Sequence, residues 1–203
     1  MAKIKYGKLS RREGVALHPK AEKIIAKKSN PPGQHGITGA RRRRLSEYGV
    51  QLREKQKTKR AFGISEKQFA NYFTKAHKMS GMTGELILRL LEMRLDNVLY
   101  RAGLAKSRPL ARQLVTHGHI LVNDKKVNIP SYQVSVGDII SVKERSAGNE
   151  FFKGLAAELK DEGIPNWISL IPKELKAKVE SVPERSDMDE SVSEQLIVEF
   201  YSR

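Results

Sequence analysis

Between Arg94 and Val142 the hydrophobic period changes once, from helical to two, which restricts this stretch to a helix pair followed by strands. Leu95, Val98, Leu99 and Ala102 recur at i, i+3, i+4 and i+7, the spacing of one apolar helix face. Arg94, Asn97 and Arg101 share a different face of the same helix, which predicts that their polar groups are displayed together. Gly103 is a stop signal. Ser107 makes a good N-cap for a second helix, and Pro109 suits its first turn, where the missing N–H has no helical partner anyway. That helix is expected to bury Leu110, Leu114 and Val115, to leave Arg108 and Arg112 outward, and to end near His117-Gly118. Beyond it Ile120 and Val122 alternate with Leu121 and Asn123, and Asn123-Asp124 is turn chemistry. Tyr132, Val134 and Val136 then alternate as a strand would, before a Gly137-Asp138 turn.

Charge narrows the function. A formal net charge of +15 on 203 residues is too lopsided for an ordinary enzyme of this size and points to a polyanion partner. The charge is also segregated. Residues 1–60 carry 18 Lys and Arg against 4 acids, residues 94–126 carry 7 against 2, and residues 144–199 carry 7 against 13. Charge that served solubility alone would have no reason to separate in this way. Two basic regions and an acidic C-terminal third suggest one side for a polyanion and another for water or protein. The absence of cysteine excludes disulfides and thiolate metal sites. No apolar run approaches the roughly 18 residues of a membrane span, and the first residues lack the apolar centre of a secretory signal. A reducing cytoplasmic setting with no membrane is expected.

Residues 1–45 read as a basic arm rather than a packed domain: apolar residues are sparse, and Asn30-Pro31-Pro32-Gly33 breaks any helix. Lys8, Arg11 and Arg12, the turn-rich Gln34-His35-Gly36 and the unbroken run Arg41 to Arg44 suit a segment that orders along phosphates. Val50 to Lys57 is a charged, helix-compatible run. Ser65 and Gln68 have capping-box spacing, and Phe69, Tyr72 and Phe73 share one helix face, read here as core rather than a base-stacking platform. Thr83 opens an apolar helix with Leu86, Ile87, Leu90 and Leu91, expected to be the pillar of the helical part. Phe151, Phe152, Leu155 and Leu159 predict another amphipathic helix; Trp167 to Ile171 and Val179 to Val182 are strand-like. The closing Leu196-Ile197-Val198-Glu199-Phe200-Tyr201 is apolar enough to dock back on an earlier element.

The words Arg94-Leu95-Asp96-Asn97, Ala111-Arg112-Gln113-Leu114-Val115, His117 to Asn123 and Ser131-Tyr132-Gln133-Val134 resemble the RNA-binding domain named after small-subunit ribosomal protein four. The resemblance to the bacterial type of that family continues nearly end to end, through Leu9-Ser10-Arg11-Arg12-Glu13-Gly14, Pro32-Gly33-Gln34-His35-Gly36, Leu45 to Lys57, Pro183-Glu184-Arg185-Ser186-Asp187 and Leu196 to Ser202. It implies an α+β protein: a mostly helical domain (46–92, completed by 183–203), an inserted RNA-binding domain of helices on a small antiparallel sheet (93–182, core motif 94–142), and an irregular basic N-terminal arm (1–45). It also implies an assembly protein of the small ribosomal subunit that holds a multi-helix junction in the 5′ domain of the ribosomal RNA. Its neighbours would be ribosomal proteins three and five, near where messenger RNA enters. Many bacterial relatives carry a cysteine-rich zinc site in the arm; here His18 and His35 alone do not make a tetrahedral site, so no metal and no cofactor is expected.

The expected mechanism is positioning, with no bond made or broken. Phosphate contacts supply affinity, and rigidly held side chains read shape and 2′-OH groups. The residues expected at the RNA are Lys8, Arg11, Arg12, Gln34, His35, Arg41, Arg42, Arg43, Arg44, Arg53, Lys55 and Lys57, then Arg94, Asn97, Arg101, Lys106, Ser107, Arg108, Arg112, His117 and Asn123. His117, His119 and Asp124 lie at a helix-to-strand turn, where hydrogen bonding to backbone or RNA explains them better than a metal does. The rival readings are an RNA pseudouridine synthase, whose catalytic Asp sits in an Arg-Leu-Asp context like Arg94-Leu95-Asp96, an accessory factor with the same RNA-binding domain, and a binder of DNA or anionic membrane. No separate catalytic domain remains for the first, the second lacks the terminal words, and the third leaves the helix pair and hairpin unexplained.

Overall fold

The computed structural model describes residues 5–38, 45–159, 163–189 and 191–203. In chain order the elements are α1 (Tyr6–Glu13), α2 (Pro19–Lys27), α3 (His35–Thr38), α4 (Glu47–Ala61), α5 (Glu66–His77), α6 (Thr83–Glu92), α7 (Leu95–Arg101) and α8 (Arg108–Thr116). There follow β1 (Ile120–Val122), β2 (Lys125–Lys126), β3 (Ile139–Val142), α9 (Glu144–Ala147), α10 (Glu150–Glu158), β4 (Ile168–Ile171), β5 (Lys176–Val179) and α11 (Glu194–Tyr201). They divide into two compact units, Met1–Gly84 with Ser191–Arg203, and Glu85–Glu190. The α+β class read from the sequence holds.

In the first unit Ser46 caps α4 through a bond from Gly49 N (3.2 Å), and Ser65 with Gln68 forms the expected capping box of α5. The C-terminal α11 returns to α4 and α5. The Tyr201 ring stacks on Phe73 (4.8 Å between centroids) and on Phe69 (6.0 Å), while Lys55 Nζ lies 4.4 Å over the Phe200 ring. Phe69 is fully buried, and Tyr72 and Phe73 are half-buried, so the aromatic face is packing surface.

A polar clasp closes the same seam. Glu66 accepts from Lys55 Nζ (2.6 Å), Lys59 Nζ (2.8 Å) and the Tyr201 hydroxyl (2.9 Å), and Ser193 N donates to Glu54 Oε1 (2.8 Å). Burial alone would raise the Glu66 pKa, but the three donors outweigh it and hold the carboxyl at about 2. Burial and the neighbouring carboxylate push the Tyr201 hydroxyl up.

The expectation of an irregular, unpacked arm is corrected. Among its described residues α1 and α2 pack against one another. Ser10 is buried at the turn, where its hydroxyl accepts from Leu17 N (3.1 Å), and Leu17 and Ala21 close over it. Gly14 takes the left-handed backbone (φ 76) that this helix end requires. The buried Glu13 side chain pairs with Arg53 (3.2 Å) and with Arg60, anchoring α1 to α4. A few well-placed small residues and one buried acid suffice here, which a count of apolar residues does not register. The run Arg41 to Arg44 lies outside the described residues.

The second unit packs α7, α8 and α10 against an antiparallel sheet ordered β2-β1-β3-β5-β4. Ile120, Val122, Ile140, Val142, Ala177 and Val179 line its inner face with Trp167, and Leu95, Val98, Leu99 and Ala102 are buried as their spacing predicts. The β1–β2 hairpin turns through Asn123 (φ 48) and Asp124 (φ 62), both left-handed, as a two-residue hairpin loop demands.

Two strand expectations shift. Tyr132–Val136 is not a strand: apart from an isolated bridge of Gln133 to Arg94, its backbone serves the helix connection, with Leu95 N donating to Tyr132 O (2.9 Å) and Val134 N to Met93 O (2.9 Å). Only Val134 of the three alternating residues is buried. The strand placed at Val179–Val182 lies earlier, at Lys176–Val179, because the turn at Pro172–Glu174 and left-handed Leu175 bring the chain back into register sooner. From Glu85 on, α6 clusters with the second unit.

The Glu66 clasp gives a signed pH dependence. A carboxyl lowered to about 2 in the fold from an ordinary 4.5 stabilises above pH 4.5, and that contribution drains away as pH falls toward 2. Protection of the buried Ile197 amide of α11, its exchange rate referred to the intrinsic rate at each pH, should therefore fall through this window. Glu66→Gln should loosen α11 at neutral pH and flatten the acid response; unchanged exchange in both would show that the clasp does not hold α11.

Candidate nucleic-acid interface

The joint between α7 and α8 is built around two buried carboxylates. Glu92, at the end of α6, is 2% exposed and accepts from Arg101 Nε (2.9 Å) and Nη2 (2.7 Å) and from Asn97 Nδ2 (2.6 Å). Asn97 in turn accepts through Oδ1 from Arg108 Nε (2.7 Å), and the Arg108 guanidinium lies 4.7 Å from the Tyr100 ring centre. Asp96, also 2% exposed, accepts from Arg94 Nε (3.0 Å) and Nη2 (2.8 Å) and from Arg112 Nη2 (2.7 Å) and Nε (3.1 Å). Paired in this way, planar guanidinium forks are fixed in both position and orientation.

Electrostatics follow the geometry. Burial works against the charge of Arg101, but its bonds to Glu92 outweigh this and its pKa rises. Burial lowers the pKa of Arg108, opposed by Glu92. The Arg101 and Arg112 side chains keep 22% and 29% of their surface exposed. Arg101 and Arg112 therefore reach the surface, with Arg108 half-buried beside them, from a rigid, partly desolvated base that can grip phosphate.

Residues 3–92 match the family model described as the ribosomal protein S4/S9 N-terminal domain, and residues 93–140 match the S4 domain. Relatives named small ribosomal subunit protein uS4 run the length of the chain. That of Chloroflexus aurantiacus is 51% identical over 97% of this chain and 96% of its own. Those of Roseiflexus castenholzii and Halothermothrix orenii are 50% and 52% identical at the same coverage. The chain belongs to the uS4 family. The uS4 relatives are named as ribosomal proteins and not as enzymes, and Asp96, the residue a pseudouridine synthase would need free, is locked between two arginines.

The geometry sorts the expected contact residues. Arg94 and Asn97 are corrected: they are 2% and 1% exposed, buried in the carboxylate network rather than displayed. The helical spacing places them on one face correctly, but that face meets Glu92 and Asp96. Arg101, Arg108 and Arg112 are brought together at the surface of the joint. Ser107 caps α8, its hydroxyl accepting from Leu110 N (3.4 Å). Lys106 is exposed and pairs with Glu158. His117 is exposed, whereas His119 Nδ1 bonds Ser146 Oγ (2.9 Å). Asn123 ties the hairpin to β3, donating to Asp138 Oδ1 (2.7 Å) and accepting from Ile139 N (2.9 Å).

In the first unit Arg53, Lys55 and Lys57 are engaged by Glu13, Glu66 and Glu54, and Arg11 donates to the carbonyls of Asn30 (2.8 Å) and Pro31 (3.2 Å). Lys8, Arg12, Gln34 and His35 are exposed. Lys20, Lys23 and Lys27 read in the sequence as arm cations without a clean period and outside the expected contact set; they are exposed along α2 at i, i+3 and i+7, the spacing that was the available signal. Sequence reasoning passed over Glu92, an acid closing an otherwise apolar helix. Among the described residues no group of three or more His, Asp or Glu is placed to hold a metal ion, and His18 Nδ1 already accepts from Lys20 N (3.1 Å) as the cap of α2. No helix among them is long and apolar enough to cross a membrane.

If Arg94 is a buried partner rather than a displayed one, Arg94→Ala should destabilise the second unit by about 3–5 kcal/mol, the cost of breaking a buried ion pair. Urea unfolding followed by the fluorescence of Trp167, the single tryptophan, measures this. Wild-type stability would return Arg94 to the surface.

Proposed function

We propose that the chain is a primary ribosomal-RNA-binding protein of the small ribosomal subunit, working in the cytoplasm without cofactor or bond-making chemistry. It holds a multi-helix junction in the 5′ domain of the RNA through phosphate contacts and shape, beside ribosomal proteins three and five and near where messenger RNA enters. The carrying observation is the triad Arg101, Arg108 and Arg112, held in fixed orientation at the α7–α8 joint in a chain of this family. Lys8, Arg12, Lys20, Lys23 and Lys27, exposed on α1 and α2, add a second set of cations. The helical domain, the inserted domain at 93–182 and the basic segment at 1–45 are the working divisions of this reading. The acidic C-terminal third suits basic protein neighbours.

Two kinds of contact predict two kinds of defect. Affinity for a 5′-domain junction RNA should fall with salt at a log–log slope of about −0.7 to −0.9 per phosphate neutralised. Replacing Lys23 and Lys27 by Gln should make that slope shallower by about one to two units. Arg112→Ala should cost about 1–3 kcal/mol of binding for the lost charged hydrogen bonds, with more effect on the junction than on an unstructured RNA of the same length. Filter binding across a salt series measures both, and a salt-independent affinity would overturn the reading.

A further inference from the structure

Between the α7–α8 connection and the end of α10 the second unit holds an open cavity of about 470 Å³. That is the size of a small-ligand site, for which roughly 300–1,000 Å³ is usual. Tyr100, Leu155, Leu159 and Ile164 give it apolar walls, and the Tyr100 ring is fixed by the Arg108 guanidinium 4.7 Å from its centre. Three charged side chains line the same space. Arg101 keeps 22% of its side chain exposed although Glu92 takes its Nε and Nη2. Lys106 and Glu158 pair with one another, and their side chains are 65% and 63% exposed. An ion pair so open to water contributes little to stability and can re-form on a ligand at little cost.

Apolar walls, a guanidinium and a donor beside an acceptor are what a single unstacked nucleotide needs. The walls meet the faces of its base, the guanidinium its phosphate, and the charged pair its base edge. The edge selects the base. On its Watson–Crick side guanine presents one acceptor, O6, beside two donors, N1–H and N2–H. An ammonium beside a carboxylate offers a donor next to two acceptor oxygens, which is the complement. Adenine, cytosine and uracil each present one donor group there, so a carboxylate oxygen is left unmatched.

We propose that this cavity captures one unpaired guanine nucleotide of the RNA, with Lys106 and Glu158 on the base edge and Arg101 on the phosphate. This rests on the reading above that the chain binds ribosomal RNA. A paired guanine has its edge occupied and its faces stacked, so the cavity selects an extruded base and adds the sequence information that phosphate contacts lack.

Free nucleotides test the cavity apart from any RNA. In NMR titrations of the whole chain, guanosine 5′-monophosphate should shift the amides of Gly103, Lys106 and Leu159 saturably. Uridine 5′-monophosphate should bind about tenfold more weakly, the factor that goes with loss of one charged hydrogen bond. Glu158→Gln should erase that preference. Equal binding of the two nucleotides, or the same shifts from inorganic phosphate at the same concentration, would overturn the proposal.

Leu159→Trp fills the cavity without changing charge. It should abolish nucleotide binding and weaken binding to a 5′-domain junction RNA by about tenfold at equal salt, the scale of one lost stacked base. Circular dichroism on heating reports whether the variant folds. If it does not, Glu158→Gln, at an exposed position, carries both readouts. It makes the protein one unit more positive, so long-range attraction alone would tighten RNA binding, whereas loss of the base contact weakens it. Unchanged or tighter junction binding by the folded variant would overturn the proposal. A chain that binds the nucleotide but no junction RNA would instead overturn the reading on which it rests.

Discussion

The second unit depends on the carboxylate of Asp96, enclosed between Arg94 at the start of α7 and Arg112 in α8. Charges so removed from water persist only when paired with good geometry, and removing one partner leaves an unpaired ion inside the protein. Pairing therefore constrains the backbone. α7 must begin where Arg94 can fold back on Asp96, and α8 must cross where Arg112 reaches the same oxygen. The segment Ile129–Val134 closes over this start, with Asp96 N donating to Pro130 O (3.2 Å) and Leu95 N to Tyr132 O. The apolar side of α7 then has one orientation left, toward Ile120, Ile140 and Trp167. Hydrophobic burial supplies the driving force, and the ion network selects the arrangement.

The first unit uses the same device for a different end. Glu66 gathers two lysines and a tyrosine, and Glu13 gathers two arginines, so in a unit rich in positive charge the few acids are placed where several cations converge. This relieves repulsion among the lysines of α4 and ties α1 and α11 to it. Much of the charge that composition assigns to RNA is therefore spent inside the fold. Arg53, Lys55 and Lys57 hold the unit together, while Lys8, Arg12, Lys20, Lys23 and Lys27 stay outward on α1 and α2.

What was legible in the sequence was whatever local pattern decides. The apolar face of α7, the Ser107 cap, the Ser65–Gln68 box and the return of the C-terminal helix all follow from spacing or from residues with a single good use. What was not legible required a partner distant in sequence. Helical spacing puts Arg94, Asn97 and Arg101 on one face, but whether that face meets solvent or Glu92 is set by where α6 ends. Alternation at Tyr132, Val134 and Val136 is a strand's pattern, yet the hydrogen-bond partners of that backbone lie at Met93 and Leu95 rather than on a neighbouring strand. The arm was misjudged because Ser10, Leu17 and Ala21 make a sufficient small core without any apolar run. Of the candidate site, the arginines at the joint were legible as cations and the acids that bond them were not.

That division bears on how a protein with such excess charge can choose an RNA. An exposed lysine on α2 is a point charge on a flexible stem and gains about as much from one phosphate as from another, so it adds affinity that salt removes and sequence does not alter. An arginine clamped along one edge has a direction as well as a charge, and a phosphate placed wrongly leaves its donors desolvated and unpaired. The cost of a mismatch therefore rises with the rigidity of the base. A chain with only the first kind of cation would bind every RNA it met. On the function proposed above, the second kind lets the same excess charge distinguish a folded RNA from the many flexible strands that compete for it.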